Sequence, residues 1–337
     1  LPRPSATSCT RDQFNMEACT ITYTNWMNSK WRSEQVGAME YYNWEMPNVL
    51  IIYNLNSSCH QGSVPVIAVN ATLPEYFQAM IKFAAKYHLR LVIKITGSDI
   101  LARSTAPRSF LLWLHYMENM TLISQYSSCG SANVTNVVRL GAGVQWGGTG
   151  GFLQGGSHSL LSSWKGLGVD QVLQYDVVTV DGQRKIVSQC QNSDLFYALS
   201  GGVGGTYDVV VSVVLRIFRS PHIIGTLLSI EASNEALYAT LIRDFVRFLP
   251  KLAEGGWNNN TDFVFLAKTT AFIPSFYEAY KLALTPSDPT GYNMLLGSSL
   301  ISDTVVRNRP DDLVQLFLQM KRLSVKATSL LINHVAG

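Results

Sequence analysis

ITGSDILARS, Ile95 to Ser104, follows the apolar run Leu91-Val92-Ile93-Lys94 and sets a glycine, two serines, an aspartate and an arginine where a strand turns into a loop. A chain leaving a buried strand through Thr, Gly and Ser presents backbone N–H groups there, and such groups bind anions. Upstream, Val64 to Asn70 has a strand pattern. Thr72 and Glu75 then read as a T-x-x-E capping box with Pro74 in the first turn, and Phe77, Met80, Ile81 and Ala84 recur at helical spacing. Arg90 to Ile95 is a second strand. The unit is strand, helix, strand, and the quoted loop opens at the carboxyl end of the last strand, where ligands of such units sit.

Two more glycine loops follow. Val137 to Trp146 reads as a strand leaving through small residues into GGTGGFLQGGSHS, Gly147 to Ser159. Val172 to Val187 is two alternating strands around Asp181-Gly182, a hairpin signal. Asn192 caps a short helix to Ser200, which runs through GGVGGTYD into a buried strand ending near Phe218. Residues 1–50 read as an aromatic-rich, irregular arm. From about Ser220 the texture changes to amphipathic stretches, Ala236 to Leu249 and Asp311 to Leu323, which marks a domain boundary.

Composition bounds the class. The 337 residues are 47% hydrophobic and 15% charged, enough for one large or two packed globular domains. A net charge of +3 with scattered Lys and Arg excludes a nucleic-acid footprint. The longest apolar run, Val209 to Leu215, falls far short of the ~20 residues that span a bilayer, so a soluble protein without a membrane span is expected. The start at Leu1, without Met or an apolar leader, reads as a mature form whose signal peptide has been removed. Five N-glycosylation sequons, at Asn56, Asn70, Asn119, Asn133 and Asn259, exceed the roughly three expected by chance and support a secreted or secretory-lumen glycoprotein. Cys9 and Cys19 are then the expected local disulfide, and the odd count of five cysteines leaves at least one thiol unpaired.

Several chemistries are absent by motif. Gly202 to Tyr207 puts Tyr at the third glycine position of G-x-G-x-x-G and precedes a strand, so an ordinary dinucleotide fold is excluded. No P-loop and no G-x-S-x-G elbow occur, and none of the six histidines pairs at i, i+3 or i, i+4, so no metal is expected. Three neutral glycine loops at strand ends suit a long ligand with a buried pyrophosphate, lined by backbone amides and needing few cations.

The ordered motifs K-x-T-G-S-D-x-x-x-R-S, L-G-A-G-V-Q, Q-G-G-S-H-S-L-L-S-S-x-x-G-L-G-V-D-Q-V-L-x-Y-D-V-V-T-V-D-G and N-S-D-L-F-x-A-L-S-G-G-V-G-G-T-Y-D-V-V resemble the berberine bridge enzyme-like FAD-linked oxidoreductases. These belong to the vanillyl-alcohol oxidase and p-cresol methylhydroxylase (PCMH) flavoprotein superfamily, and the likeness is strongest to its fungal secondary-metabolism branch. It is dense from Cys59 to Arg219. The resemblance implies an α+β fold: an arm over 1–60, an FAD-binding PCMH-type domain over 61–220 and an α+β substrate domain over 221–337. It also implies FAD contacts from Thr96, Gly97, Ser98, Asp99, Arg103 and Ser104, from Gly155, Gly156, Ser157, His158 and Ser159, and from Gly204, Gly205 and Val210.

Three departures bear on the chemistry. The family writes the first loop T-G-H-D, with its histidine bonded to the flavin; Ser98 cannot form that bond, so FAD is expected to be non-covalent. Only Trp146 to Leu153 separates the L-G-A-G-V-Q strand from the Q-G-G loop, with no second attachment cysteine, and the chain stops at Gly337 before the family's carboxyl-terminal segment. Both gaps read either as true losses or as residues left out of the chain as written. The expected function is FAD-linked oxidation of a natural-product intermediate, a small hydrophobic molecule. A flavin-independent cyclase, pericyclase or dehydratase, or a non-catalytic pseudoenzyme, is the alternative. Candidate catalytic residues are His158, beside the cleft, and Tyr280, in the substrate part together with Tyr277, Tyr292 and Trp257. A structural role competes for each, and Asp99 is expected to brace its loop through Arg103.

Overall fold

The structure is a computed structural model that describes residues 1–40, 44–45, 60–99, 101–127, 129–130, 133–145, 149–158, 162–219, 235–254, 260–262, 303–323 and 331–333. The chain forms two compact units. One comprises Leu1–Ser157, Gly168–Arg219 and Pro286–Leu295, and the other His158–Leu167, Ser220–Thr285 and Leu296–Gly337.

In the first unit the amino-terminal arm is not irregular. It folds as 3₁₀ turns and two helices, α1 (Met16–Thr24) and α2 (Ser29–Ser33), because Asn15 and Asn28 cap them: Ala18 N donates to Asn15 Oδ1 at 2.9 Å and Trp31 N to Asn28 Oδ1 at 3.2 Å. A Cys9–Cys19 disulfide ties the arm to itself, as its spacing suggests. A second disulfide, Cys129–Cys190, was not anticipated.

Strand β1 (Ile67–Asn70), helix α3 (Pro74–Lys86) and strand β2 (Leu91–Lys94) follow. Helix α3 buries Phe77, Met80, Ile81 and Ala84, the face its periodicity marks. The capping box does not form. The N-cap is Leu73 and no side chain caps the helix, because Pro74 takes the first helical position and confines its predecessor to extended backbone. Strands β1 and β2 do not pair with each other. β3 (Phe110–Trp113) lies between them, parallel to both, and its FLLW run is largely buried.

A second, antiparallel sheet has the order β4 (Met120–Ile123), β5 (Val137–Gly141), β8 (Asp208–Arg216), β6 (Val172–Thr179), β7 (Arg184–Val187). The Asp181-Gly182 hairpin joins β6 to β7: Asp181 Oδ1 accepts from Gln183 N at 3.0 Å, and Gly182 N donates to Thr179 O at 2.8 Å. Along the chain, helices α4 (Gly151–Gln154) and α5 (Ser162–Lys165) follow β5, and α6 (Ser193–Leu199) precedes β8. Asn192 stands at the start of α6 but caps it with no side-chain bond; its left-handed backbone turns its Nδ2 to Ile186 O at 2.7 Å. One apolar core joins α3, β3, β6 and β8 through Phe77, Leu112, Tyr175, Val177 and Val213.

In the second unit, helix Glu235–Glu254 packs Ile242 and Val246 against Leu313, Val314 and Leu318 of helix Pro310–Leu323, so both amphipathic stretches are helical. Strand Asn260–Asp262 pairs antiparallel with Leu331–Asn333. No helix among the described residues is long and apolar enough to cross a membrane.

Candidate functional site

The first loop leaves β2 and immediately meets the arm. Gly97 has φ +87°, and a Cβ there would stand 3.3 Å from Met39 Cα, so a residue without a side chain is required. Glu40 N donates to Gly97 O at 3.2 Å, and the Glu40 carboxylate accepts from the Ser98 and Thr96 hydroxyls while burial raises its pKa. Beneath the loop the fully buried Lys94 donates to the carbonyls of Gln35 at 2.7 Å, Val36 at 3.3 Å and Ala38. Burial draws the Lys94 ammonium down to about 7.

Asp99 braces its own loop. Its Oδ1 accepts from Leu101 N at 3.1 Å and pairs with Arg103 Nε at 3.4 Å, and its Oδ2 accepts from Ser104 N at 3.0 Å and Ser104 Oγ at 3.3 Å. This is an aspartate turn reinforced by a weak, half-exposed ion pair. Ser98 is exposed and Arg103 points to solvent.

The second and third glycine loops meet each other and the end of β2. A Cβ on Gly150 would lie 3.2 Å from Ile95 Cδ1 and 3.8 Å from Val210 Cβ, so the second bend packs on the residue that follows β2 and on β8. Gly204 touches Gly151: a Cβ on Gly204 would stand 2.6 Å from Gly151 Cα, a clash with backbone. Gln154 is the hinge pin. Its carbonyl accepts from Val203 N at 3.0 Å, and its Nε2 donates to Asp208 Oδ1 at 3.0 Å. Gly155 and Gly156 close the end of α4, and Ser157 O accepts from Gly168 N at 2.9 Å. A Cβ on Gly201 or Gly205 would meet nothing within 4 Å, so their backbone faces open space.

Thr96, Gly97, Ser98, Asp99, Arg103, Ser104, Gly155, Gly156, Ser157, Gly204, Gly205 and Val210 therefore all belong to the first unit. His158 is exposed and belongs to the second unit, and Ser159, Tyr277, Tyr280, Tyr292 and Trp257 lie outside the described residues. The sequence reading missed Gln154, Asp208 and Glu40. Asp208 carried one readable signal, a carboxylate directly after a glycine loop at the head of an otherwise apolar strand.

No protein-family model matches the chain. An uncharacterized FAD-linked oxidoreductase of Arthroderma benhamiae is 35% identical over 286 residues, 75% of this chain and 49% of that protein. The bifunctional decalin synthase calF of Penicillium decumbens is 32% identical over 324 residues, 88% of this chain and 54% of that protein. The crystal structure of a VAO-type flavoprotein from Myceliophthora thermophila superposes with a TM-score of 0.66 at 30% identity, over 76% of this chain and 51% of that one. The chain belongs to the vanillyl-alcohol-oxidase-type flavoprotein superfamily. It spans about half the length of the relatives it matches.

The VAO-type fold explains the layout of the first unit. The small parallel sheet and the five-stranded antiparallel sheet are the α+β, PCMH-type arrangement that the motifs implied. In this VAO-type chain the amides of Gly155, Gly156 and Val203 are bonded within the fold, to the carbonyls of Gly151, Leu153 and Gln154. Open space beside Gly201 and Gly205 leaves room for a ligand to approach, and Asp208, at the head of β8 after this bend, is buried.

Proposed function

We propose that this chain carries the flavin-binding part of an FAD-linked oxidoreductase that acts on a natural-product intermediate, with the flavin held non-covalently. The observation that carries the reading is the packing of the second glycine bend, through Gly150, on Ile95 and Val210 and, through Gly151, on Gly204 of the third. The names of relatives, among them FAD-linked oxidoreductase malF of Malbranchea aurantiaca at 30% identity, support the redox class. The loops after β2 and around α4 and the bend before β8 would hold the cofactor. When bound, FAD supplies a hydride acceptor for an alcohol, amine or activated C–H group. The chain's own part is to orient: Asp99 and Glu40 fix the first loop, and Gln154 joins the other two. Ser98 has a hydroxyl where the resembled motif has an imidazole, so no histidyl attachment forms at this loop.

The test is a spectrum of the purified protein before and after acid precipitation. Flavin absorption that passes wholly into the supernatant is the expected result. A colourless protein that still turns over substrate would instead establish the second reading, a flavin-independent cyclase. The decalin synthase name of one relative favours that reading, since a shaped cleft can promote ring closure by orientation alone.

We also propose that the chain travels the secretory route. Two disulfides and the exposure of the sequon residues Asn70, Asn119 and Asn133 support it, and a mass shift on glycosidase treatment tests it.

A further inference from the structure

Asp208 opens β8 immediately after the third glycine loop and is 5% exposed. Only one of its oxygens is satisfied. Oδ1 accepts from Gln154 Nε2, while Oδ2 is buried with no hydrogen-bond partner. The Tyr175 hydroxyl of β6, itself buried and without a hydrogen-bond partner, feels the Asp208 charge but does not bond to it. Thr179 lies opposite it in register. Among the described residues no cation pairs with Asp208, whereas the comparably buried Glu45 has Arg32 and Asp176 has Arg184.

An uncompensated carboxylate at this depth is costly, and proton uptake is the ordinary relief. Burial pushes the Asp208 carboxyl up to about 6, with the Gln154 hydrogen bond pulling the other way. The location then has a consequence for ligands. Gln154 Oε1 stands 3.3 Å from where a Cβ of Gly204 would be, so the carboxyl is joined to the third glycine bend through one side chain.

We propose that Asp208 is a charge gate on the glycine-loop site: it admits an anionic dinucleotide when protonated and opposes one when ionised. This inference rests on the FAD reading above. The balance is simple. Asp208 takes one proton from solvent at Oδ2 as the dianionic pyrophosphate enters, and releases it when the ligand leaves. Neutral ligands of the cleft are bound without that proton.

The experiment is FAD titration followed by quenching of flavin fluorescence between pH 5 and pH 8, for the natural protein and for Asp208→Asn, which keeps the acceptor for Gln154. Affinity of the natural protein falls by roughly a hundredfold over that span, and that of the variant changes by less than about twofold. Calorimetry of the natural protein at pH 7 in two buffers of different ionisation enthalpy, which needs no variant, shows about one proton taken up per FAD. Superimposable pH profiles for the two proteins, or binding without proton uptake, overturn the gate and leave the FAD reading standing. If FAD binds neither protein at any pH, both fall.

Discussion

Arg32 and Glu45 form an ion pair in which each side chain is 1% exposed. The pair is fully dressed. Arg32 Nε donates to Met39 O at 2.6 Å, Glu45 Oε1 accepts from Met39 N at 2.9 Å, and Glu45 Oε2 accepts from Ser5 N at 3.0 Å and Ser5 Oγ at 2.8 Å. The guanidinium also lies 4.6 Å from the Trp26 ring centroid. Since Met39 and Glu40 border Gly97, this charge pair holds the arm against the first candidate loop.

Removing one charge leaves the other buried. Glu45→Gln and Arg32→Met should each lower stability by about 3–5 kcal/mol in urea unfolding, with the double variant less damaged than the sum of the two singles. Additive losses would show that the two groups do not interact in solution.

Asp99 holds four donors within its own loop, so Asp99→Ala should loosen residues 96–104 more than it lowers global stability. About 1–2 kcal/mol of stability is at stake. Amide hydrogen exchange at Leu101 and Ser104 should rise clearly above that of β3, and unchanged protection there would refute the brace.

Val203 has φ +71°, in the left-handed region where a β-branched residue is strained. Val203→Gly should raise stability by about 1 kcal/mol, the relief of strain outweighing the entropy of glycine. One residue on, the sign reverses. Gly204→Ala drives a methyl into Gly151 backbone and should cost at least about 2 kcal/mol. Melting temperatures of the two variants should therefore move in opposite directions.

The stability of the ligand-free protein should carry a signature of Asp208. Its folded pKa, about 6, lies above the ordinary carboxylate value, so the folded state holds the proton more tightly than the unfolded one. That contribution is fully present below about pH 4 and is lost as pH rises through 6. Relative to Asp208→Asn, the natural protein should lose on the order of 3 kcal/mol across this window and stay level above it. Parallel stability curves for the two proteins from pH 4 to 7 would contradict this.

Ser98→His restores the imidazole of the resembled motif on a loop whose backbone is held by Glu40 and Asp99. The variant should acquire flavin that survives denaturation, seen as an added mass equal to FAD on the intact chain. A variant that binds FAD only reversibly would show that the flavin ring does not lie against this loop.

What could be read along the chain is what closes over a few residues. The buried face of α3, the Asp181-Gly182 turn and the bracing of the first loop by Asp99 depend on periodicity or on hydrogen bonds spanning two to five residues, so the residue types carry them. Local reading failed where neighbours compete: Pro74 moved the start of α3 off Thr72, and the left-handed backbone of Asn192 turned its side chain away from capping. The motif order also carried the fold, because glycines at three strand ends mark where backbone must come close.

Tertiary structure alone decided the rest. It inserted β3 between β1 and β2, joined Cys129 to Cys190 across 61 residues, and brought Gln154 to Asp208 across 54. It also set Glu40 of the arm on the hydroxyls of Ser98 and Thr96. None of these has a local signature, because each depends on how two sheets and an arm stack over one core. An aspartate at the head of a strand reads as a solvated turn residue until packing removes its water, and only burial makes its charge matter.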